Sequence, residues 1–192
     1  MTIRRVVKVG GSCLMHADLT SLLTGWLERQ PLAQNLLIVG GGQAIEAMRD
    51  LAALHRLDEP AMHWRCVRML RASAEVVAEL VPVLQLLSSS EGTETLLGNP
   101  PQVGHWLLAV DSFYHPSCSA KSGLPEGWAT TTDAIAAYLA RKAGADELVL
   151  LKSCNVPADA SPESLAAAGV VDPAFPAALA ANLCWRIERL GN

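Results

Sequence analysis

Short runs of aliphatic and β-branched residues, each stopped by glycine or by polar residues, set the rhythm of this chain. Val6-Val7-Lys8-Val9 stops at Gly10-Gly11, and Leu36-Leu37-Ile38-Val39 stops at Gly40-Gly41-Gly42. Trp106-Leu107-Leu108-Ala109-Val110 and Leu148-Val149-Leu150-Leu151 are two further runs. Unbroken apolar runs of this length predict buried strands. Between them, apolar positions return at helical spacing. Asp18 is placed to cap a helix to about Arg29, with Leu19, Leu22, Leu23, Trp26 and Leu27 on one stripe. A second helix is predicted from Gln43 to about Leu57, and a long one over 61–80, which has no internal Pro or Gly. Met62, Cys66, Met69, Val76 and Leu80 mark the expected inner face of the long helix. Thr132 to Ala143 predicts a helix, Ser161-Pro162-Glu163 opens a short one, and Leu183 to Leu190 predicts a last strand. Ser88 to Gly104 and Ser112 to Trp128 read as loops. Strand, glycines and helix, repeated, is the signature of a parallel sheet with crossover helices, so the fold class is α/β.

Composition narrows the function. A chain of 192 residues with 51% apolar and 18% charged residues can bury a core and is far from disorder. The net charge of −4 argues against a nucleic-acid partner. The five cysteines, Cys13, Cys66, Cys118, Cys154 and Cys184, form no C-x-x-C pair. Reduced thiols, a cytoplasmic location and no protein metal site are therefore expected. The chain enters a strand-like segment directly after Met1-Thr2, which leaves no room for a signal peptide. The richest apolar stretch, Val76 to Leu87, is broken by Glu79, Pro82 and Gln85, so no membrane contact is expected.

Three motifs carry chemistry. Lys8-Val9-Gly10-Gly11-Ser12 is a turn without Cβ atoms, where backbone N–H groups can approach an anion and Ser12 adds a hydroxyl. Lys8 lies in an apolar strand, where its charge is costly without a counter-charge; the alternative is a plain turn with Lys8 reaching the surface. Gly40-Gly41-Gly42 sits at another strand's carboxyl end, where open α/β sheets bind ligands. Neither G-x-G-x-x-G nor G-x-x-x-x-G-K-[ST] occurs, so a different phosphate cradle is needed. Thr132-Asp133 opens a helix, either as a simple cap or with Asp133 orienting Lys8 and a second lysine, Lys152, at the end of the 148–151 strand. Arg65, Arg68 and Arg71, three residues apart, are a solvated helix face or a phosphate clamp. His63, His115 and the five tryptophans fit structural roles as readily as binding ones.

In this order the motifs Lys8 to Ser12, Val39 to Gly42, and Thr131-Thr132-Asp133 with Ala136-Ala137 resemble the amino acid kinase superfamily, which includes acetylglutamate kinase, aspartokinase and uridylate kinase. The resemblance spans residues 3 to about 155 and implies a three-layer αβα sandwich with a mainly parallel sheet. It implies an ATP-dependent kinase with Mg²⁺, in which Lys8, Asp133 and Lys152 are catalytic. Gly10, Gly11, Ser12, Lys152 and Ser153 would hold the nucleotide phosphates, and Gly40, Gly41, Gly42, His63, Trp128 and Thr132 the acceptor. Leu151-Lys152-Ser153 is similar to the Leu-Lys-Ala stretch of uridylate kinases. Where the family continues into Asp-Gly, this chain has Cys154-Asn155-Val156-Pro157, and the short remainder implies a single domain with a reduced C-terminal nucleotide lobe. Leu124-Pro125-Glu126-Gly127-Trp128 and His63-Trp64 resemble a small branch containing the furanmethyl phosphate kinase of methanofuran biosynthesis. That branch implies a small phosphorylated acceptor; a uridylate or amino acid kinase, or a non-catalytic nucleotide- or oxyanion-binding protein, are the other readings. The acceptor site is expected where Gly40 to Gly42 meets the Ser88–Gly104 segment, near His63, Arg65, Trp106 and Trp128. A homodimer is also expected, through the 61–80 helix with Trp64 and Val77.

Overall fold

The computed structural model describes residues 2–156 and 160–191; Pro157, part of the departure from the Asp-Gly turn, lies outside them. The elements follow in the order β1 (Ile3–Val9), α1 (Leu19–Arg29), β2 (Ala33–Val39), α2 (Gly42–His55), α3 (Glu59–Leu80), β3 (Gln85–Leu87) and α4 (Ser90–Gly98). Then come β4 (Gly104–Leu108), α5 (Ser119–Ser122), α6 (Thr132–Ala143), β5 (Glu147–Lys152), α7 (Pro162–Ala167), α8 (Phe175–Ala178) and β6 (Cys184–Arg189). The six strands form one sheet in the order β3-β4-β2-β1-β5-β6, with every pair parallel. Lys8 stands opposite Ile38 on β2 and Leu150 on β5.

Both faces of this sheet are covered, as continuous apolar strands require. Val6, Leu36, Ile38, Leu108, Leu148 and Leu150 point to one face, against α6 and the start of α3. Val7, Val9, Leu37, Leu107, Val149 and Leu151 point to the other, against Leu23, Trp26 and Leu27 of α1. The fold is the expected three-layer α/β sandwich. Each fully buried Leu or Ile contributes about 1.5–3 kcal/mol of transfer free energy, so the central strands anchor the positions of their ends.

Several expectations are corrected. The 88–104 segment is not a loop: it contains α4, whose N-cap Ser89 accepts from the Gly92 N–H, between the short strands β3 and β4. Two glycines lower its helix propensity, but Leu96 and Leu97 pack on the core and Thr93 bonds Ser112 Oγ, so tertiary contacts decide. On α3 the buried stripe is Met62, His63, Trp64, Cys66, Val67, Leu70, Ala74 and Val77, while Val76 and Leu80 are exposed. Trp64 and Val77 are thus covered within the chain and offer nothing to a dimer contact. Arg65 and Arg68 face solvent, whereas Arg71 pairs with Asp111 and donates to the Ser88 carbonyl. Ser112–Trp128 is mainly loop with the single turn α5. β1 and β2 each begin three residues earlier than their apolar runs, because Arg4 and Arg5 are bonded inside the protein. Among the described residues no helix is long and apolar enough to cross a membrane.

Candidate active site

The carboxyl ends of β1, β2 and β5 lie side by side and carry the three motifs to one place. After β1 the Gly10 N–H donates to the Leu151 carbonyl at 2.8 Å, tying the first glycine turn to β5. The two glycine turns touch. A Cβ on Gly11 would sit 2.2 Å from the Gly42 nitrogen, and Gly42 has φ +53°, a conformation that favours glycine. Any side chain at Gly11 would push the turns apart, which explains two glycine runs in two separate strand-to-helix connections.

Behind these turns lies a buried charge cluster. Lys8 is 5% and Asp133 3% exposed. Lys8 Nζ is 2.8 Å from Asp133 Oδ1. Lys152 Nζ donates to both Asp133 oxygens, at 2.9 and 2.7 Å, and to the Val170 carbonyl at 2.8 Å. Burial disfavours the charge of Asp133, but the positive charges of Lys8 and Lys152 and their hydrogen bonds prevail and hold its carboxyl below the ordinary value. Lys152 is pulled below the usual lysine value by burial and by repulsion from Lys8, against the pull of Asp133. Asp133 sits in the first turn of α6, where the helix dipole also favours a carboxylate. Two cations therefore share one carboxylate beside the glycine turns.

Asp172 is a part of this site that sequence reading missed. Its Oδ2 accepts from the Thr131 N–H, the Thr131 hydroxyl and the Ala134 N–H, at 3.0, 2.8 and 3.0 Å. It caps α6 from a distant loop, while Thr131, at the N-cap position, makes no side-chain cap of its own. Burial, then the charge of Asp133, pushes the Asp172 carboxyl above its ordinary value. The only sequence signal was an acidic residue before Pro173, and nothing local connected it to α6.

In front of the cluster opens a cavity of about 460 Å³. Lys8, Gly11, Ser12, Gly40, Gly41 and Gly42 line one side, and His63, Trp128 and Thr132 also reach it. Asp133 and Lys152 stand behind this wall, and Gly10 joins the turn to β5. Ser153 bonds Ser12, Oγ to Oγ at 2.7 Å, at the exposed rim. The segment 88–104, Arg65 and Trp106 contribute nothing to the cavity: α4 packs on α6, Arg65 faces solvent and the Trp106 ring lies against Gly104. Of the neighbours expected for an acceptor, His63 and Trp128 reach the cavity, and Arg65 and Trp106 do not. Sequence reading passed over Arg49 and Ile45 of α2 and Cys66 and Val67 of α3, which do line the cavity. Their helical spacing was the available signal: Ile45 and Arg49 lie three and seven residues after Gly42, and Cys66 and Val67 three and four after His63.

The segment Glu126–Trp128, whose Gly127 and Trp128 line the cavity, is tied to α3. The Trp128 N–H donates to Glu59 Oε1 at 2.7 Å, and Trp64 Nε1 donates to Glu126 Oε2 at 2.8 Å. His63 Nδ1 lies 3.2 Å from the Gly127 carbonyl and its Nε2 3.0 Å from the Tyr114 hydroxyl. A carbonyl only accepts, so Nδ1 carries the proton and the Tyr114 hydroxyl donates to Nε2. Burial lowers the His63 pKa, which suits this neutral form. Both ring nitrogens are committed, Nδ1 to the Glu126–Trp128 segment and Nε2 to Tyr114.

No protein-family model and no curated protein sequence matches the chain. Solved structures do. A UMP kinase from Ureaplasma parvum superposes with a TM-score of 0.66 over 100% of this chain and 92% of its own, at 14% identity. A UMP kinase from Bacillus anthracis gives 0.67 over 100% and 89%, at 11% identity. Aspartate kinase from Synechocystis gives 0.66 over 98% of this chain and 38% of its own, at 13% identity. The chain shares the fold of these UMP and aspartate kinases. At these identities the likeness concerns architecture, and the chemistry must be argued from the site's own residues.

Proposed function

We propose that this protein is an ATP-dependent phosphotransferase that moves the γ-phosphoryl group of ATP to a small phosphorylated acceptor, with a furanmethyl phosphate as the candidate compound. The observation that carries the reading is the buried Lys8–Asp133–Lys152 cluster behind two interlocked glycine turns. Kinase-fold neighbours support it at the level of the reaction type.

The residues present fit a polyphosphate. The glycine turns meet backbone to backbone, with no space for a Cβ, beside the cavity that they line, and the lysines share a single carboxylate. In phosphoryl transfer, catalysis is mostly positioning and charge stabilisation. Lys8, with one hydrogen bond to Asp133 and its ammonium at the cavity wall, would neutralise the equatorial oxygens of the moving group. Lys152, held by Asp133 and Val170, would stabilise charge on the leaving side, and Ser12 and Ser153 would bond the nucleotide phosphates at the rim. Asp133 acts as organiser, since both its oxygens are engaged by lysines and neither is free to take a proton. An acceptor that is itself a phosphate is already deprotonated and requires no general base. Among the described residues no group of three His, Cys, Asp or Glu could hold a metal ion; Mg²⁺ would arrive on the nucleotide phosphates and supply further charge neutralisation.

The test is ATP turnover against a panel of phosphorylated acceptors that includes furanmethyl phosphate and UMP. Acceptor-dependent release of ADP supports the proposal. ATP binding without turnover on any acceptor points instead to a non-catalytic nucleotide-binding protein. Pairing of two copies through α3 belongs to the same proposal, and its support is the exposed apolar pair Val76 and Leu80.

A further inference from the structure

The sheet ends differently at its two edges. At one edge β3 has only three residues. At the other β6 has six, Cys184 to Arg189, and among the described residues no strand pairs on its outer side. A long edge of this kind presents a row of unpaired N–H and C=O groups that invites another strand. The Leu190 N–H donates to the Lys152 carbonyl, and Lys152 stands opposite Arg189. Glu188 and Leu190 therefore direct their backbone groups to β5, and by alternation so do Cys184 and Arg186. Trp185, Ile187 and Arg189 direct theirs outward. The side chains of these three share one face, where Trp185 packs on Phe175 with ring centroids 5.6 Å apart. Arg186 and Glu188 share the other face, beside Gln30 and Trp26.

We propose that a second copy of this chain pairs with β6 edge to edge, antiparallel, around a two-fold axis at Ile187. Backbone geometry and charge select the same register. With the axis at Ile187, that residue meets its own copy in a hydrogen-bonded pair, in which the two residues exchange both N–H···O=C bonds. Trp185 makes the same exchange with Arg189 of the second copy. Arg186 then stands opposite Glu188 of the second copy, with Cα atoms about 4.5 Å apart and side chains on the same face. The two-fold repeats this ion pair, and on the other face it sets Arg189 of each copy beside the Trp185 ring of the other. An axis at Arg186 or at Glu188 instead sets like charges opposite each other, which disfavours those registers. Within one copy Arg186 already bonds Glu147 and Gln30, and Glu188 accepts from Trp26 Nε1. Both charged side chains are thus ordered before the second copy arrives, which lowers the entropy lost on pairing. None of β6 lines the cavity, so the contact stands apart from the phosphotransferase reading.

An edge ribbon is a small interface, so the test is light scattering at high micromolar concentration. Glu188→Arg sets arginine opposite arginine, and Arg186→Glu sets glutamate opposite glutamate. Each should halve the mass of the wild-type assembly. Mixed in equal amounts, the two variants should recover it, because every arginine then faces a glutamate. Arg189→Pro should also halve the mass: it removes an outward N–H, takes no bond from β5, and is tolerated on an edge strand. Circular dichroism checks that each variant is folded, and Arg189→Pro carries the test should a charge variant fail to fold. A monomeric wild type overturns the proposal. So do folded variants that keep the wild-type mass, or a mixture of the two charge variants that stays at half of it. Loss of association in Leu80→Glu, but in none of the β6 variants, assigns pairing to α3 alone and likewise overturns it.

Discussion

The two ends of one strand treat buried charge in opposite ways. Arg4 and Lys8 are four residues apart on β1, on the same face and under the same helix. At the amino end Arg4 is nearly filled: it donates to Gln34 and to the carbonyls of Leu97, Ala143 and Asn99. Its neighbour Arg5 pairs with Glu147, which also pairs with Arg186. At the carboxyl end two lysines share Asp133, and glycine turns open a cavity beside them. α6 links the ends, giving the Ala143 carbonyl of its last turn to Arg4 and the Asp133 carboxylate of its first turn to Lys8, each in keeping with the helix dipole. The comparison teaches that burial of a charge does not mark a site. A buried charge with its hydrogen bonds filled supports the fold, while one with donors to spare beside a cavity awaits a ligand.

Mutating each end separates these roles. Lys8→Met should lower phosphoryl-transfer kcat by on the order of 10²–10³ while thermal unfolding changes little, because Asp133 keeps Lys152. Wild-type kcat in that variant would remove the distinction between the ends. Arg5→Met should do the opposite. It leaves Glu147 short of one partner in a largely buried pair and should cost about 3 kcal/mol in urea unfolding, with acceptor and ATP KM values unchanged in the folded fraction.

A smaller effect is expected at the link between cluster and scaffold. Asp172→Ala removes the acceptor for three donors at the start of α6 and should cost about 1–2 kcal/mol, with a fall in kcat as Asp133 loses its fixed place. Full stability and full kcat together would show that Asp172 does not position Asp133. The smallest effect concerns pH. Asp133 has a depressed pKa in the folded state, so its contribution is present above the unfolded carboxylate value of about 4 and is lost as pH falls through the folded value. Asp172 is raised, so the folded state binds its proton more tightly and gains stability as pH falls from its folded value toward about 4, above the range in which the Asp133 contribution is lost. Asp172→Asn should therefore remove that gain and make stability fall more steeply on the way down from pH 6. Urea midpoints between about pH 3 and 6 measure this, and an unchanged slope would count against the opposition of the two carboxylates.

The cluster was legible before the structure because its members sit at element ends that apolar patterning marks: Lys8 before a glycine stop, Asp133 at a helix start, Lys152 at a strand end. The rest of the cavity wall was not. Ser88–Gly104 looked like an exposed functional loop by composition, yet it contains α4, which packs on α6, and none of it lines the cavity. Arg49 gave no local sign of a place in that wall, since an arginine on an amphipathic helix ordinarily faces solvent.

By itself the sequence determined the alternation of strands and helices, the parallel α/β class and the positions of two glycine turns. These follow from the period of apolar residues and from the need for backbone without Cβ, both of which act over a few residues. Only the tertiary structure decided which charges meet. Strand order places β5 beside β1, so Lys152 and Lys8 converge on Asp133, and a loop from far along the chain brings Val170 and Asp172 to the same cluster. Arg4 and Lys8 look alike as cations within one strand. Their difference lies in what the rest of the fold sets against each: carbonyls and an amide at one end, a lone shared carboxylate and open space at the other.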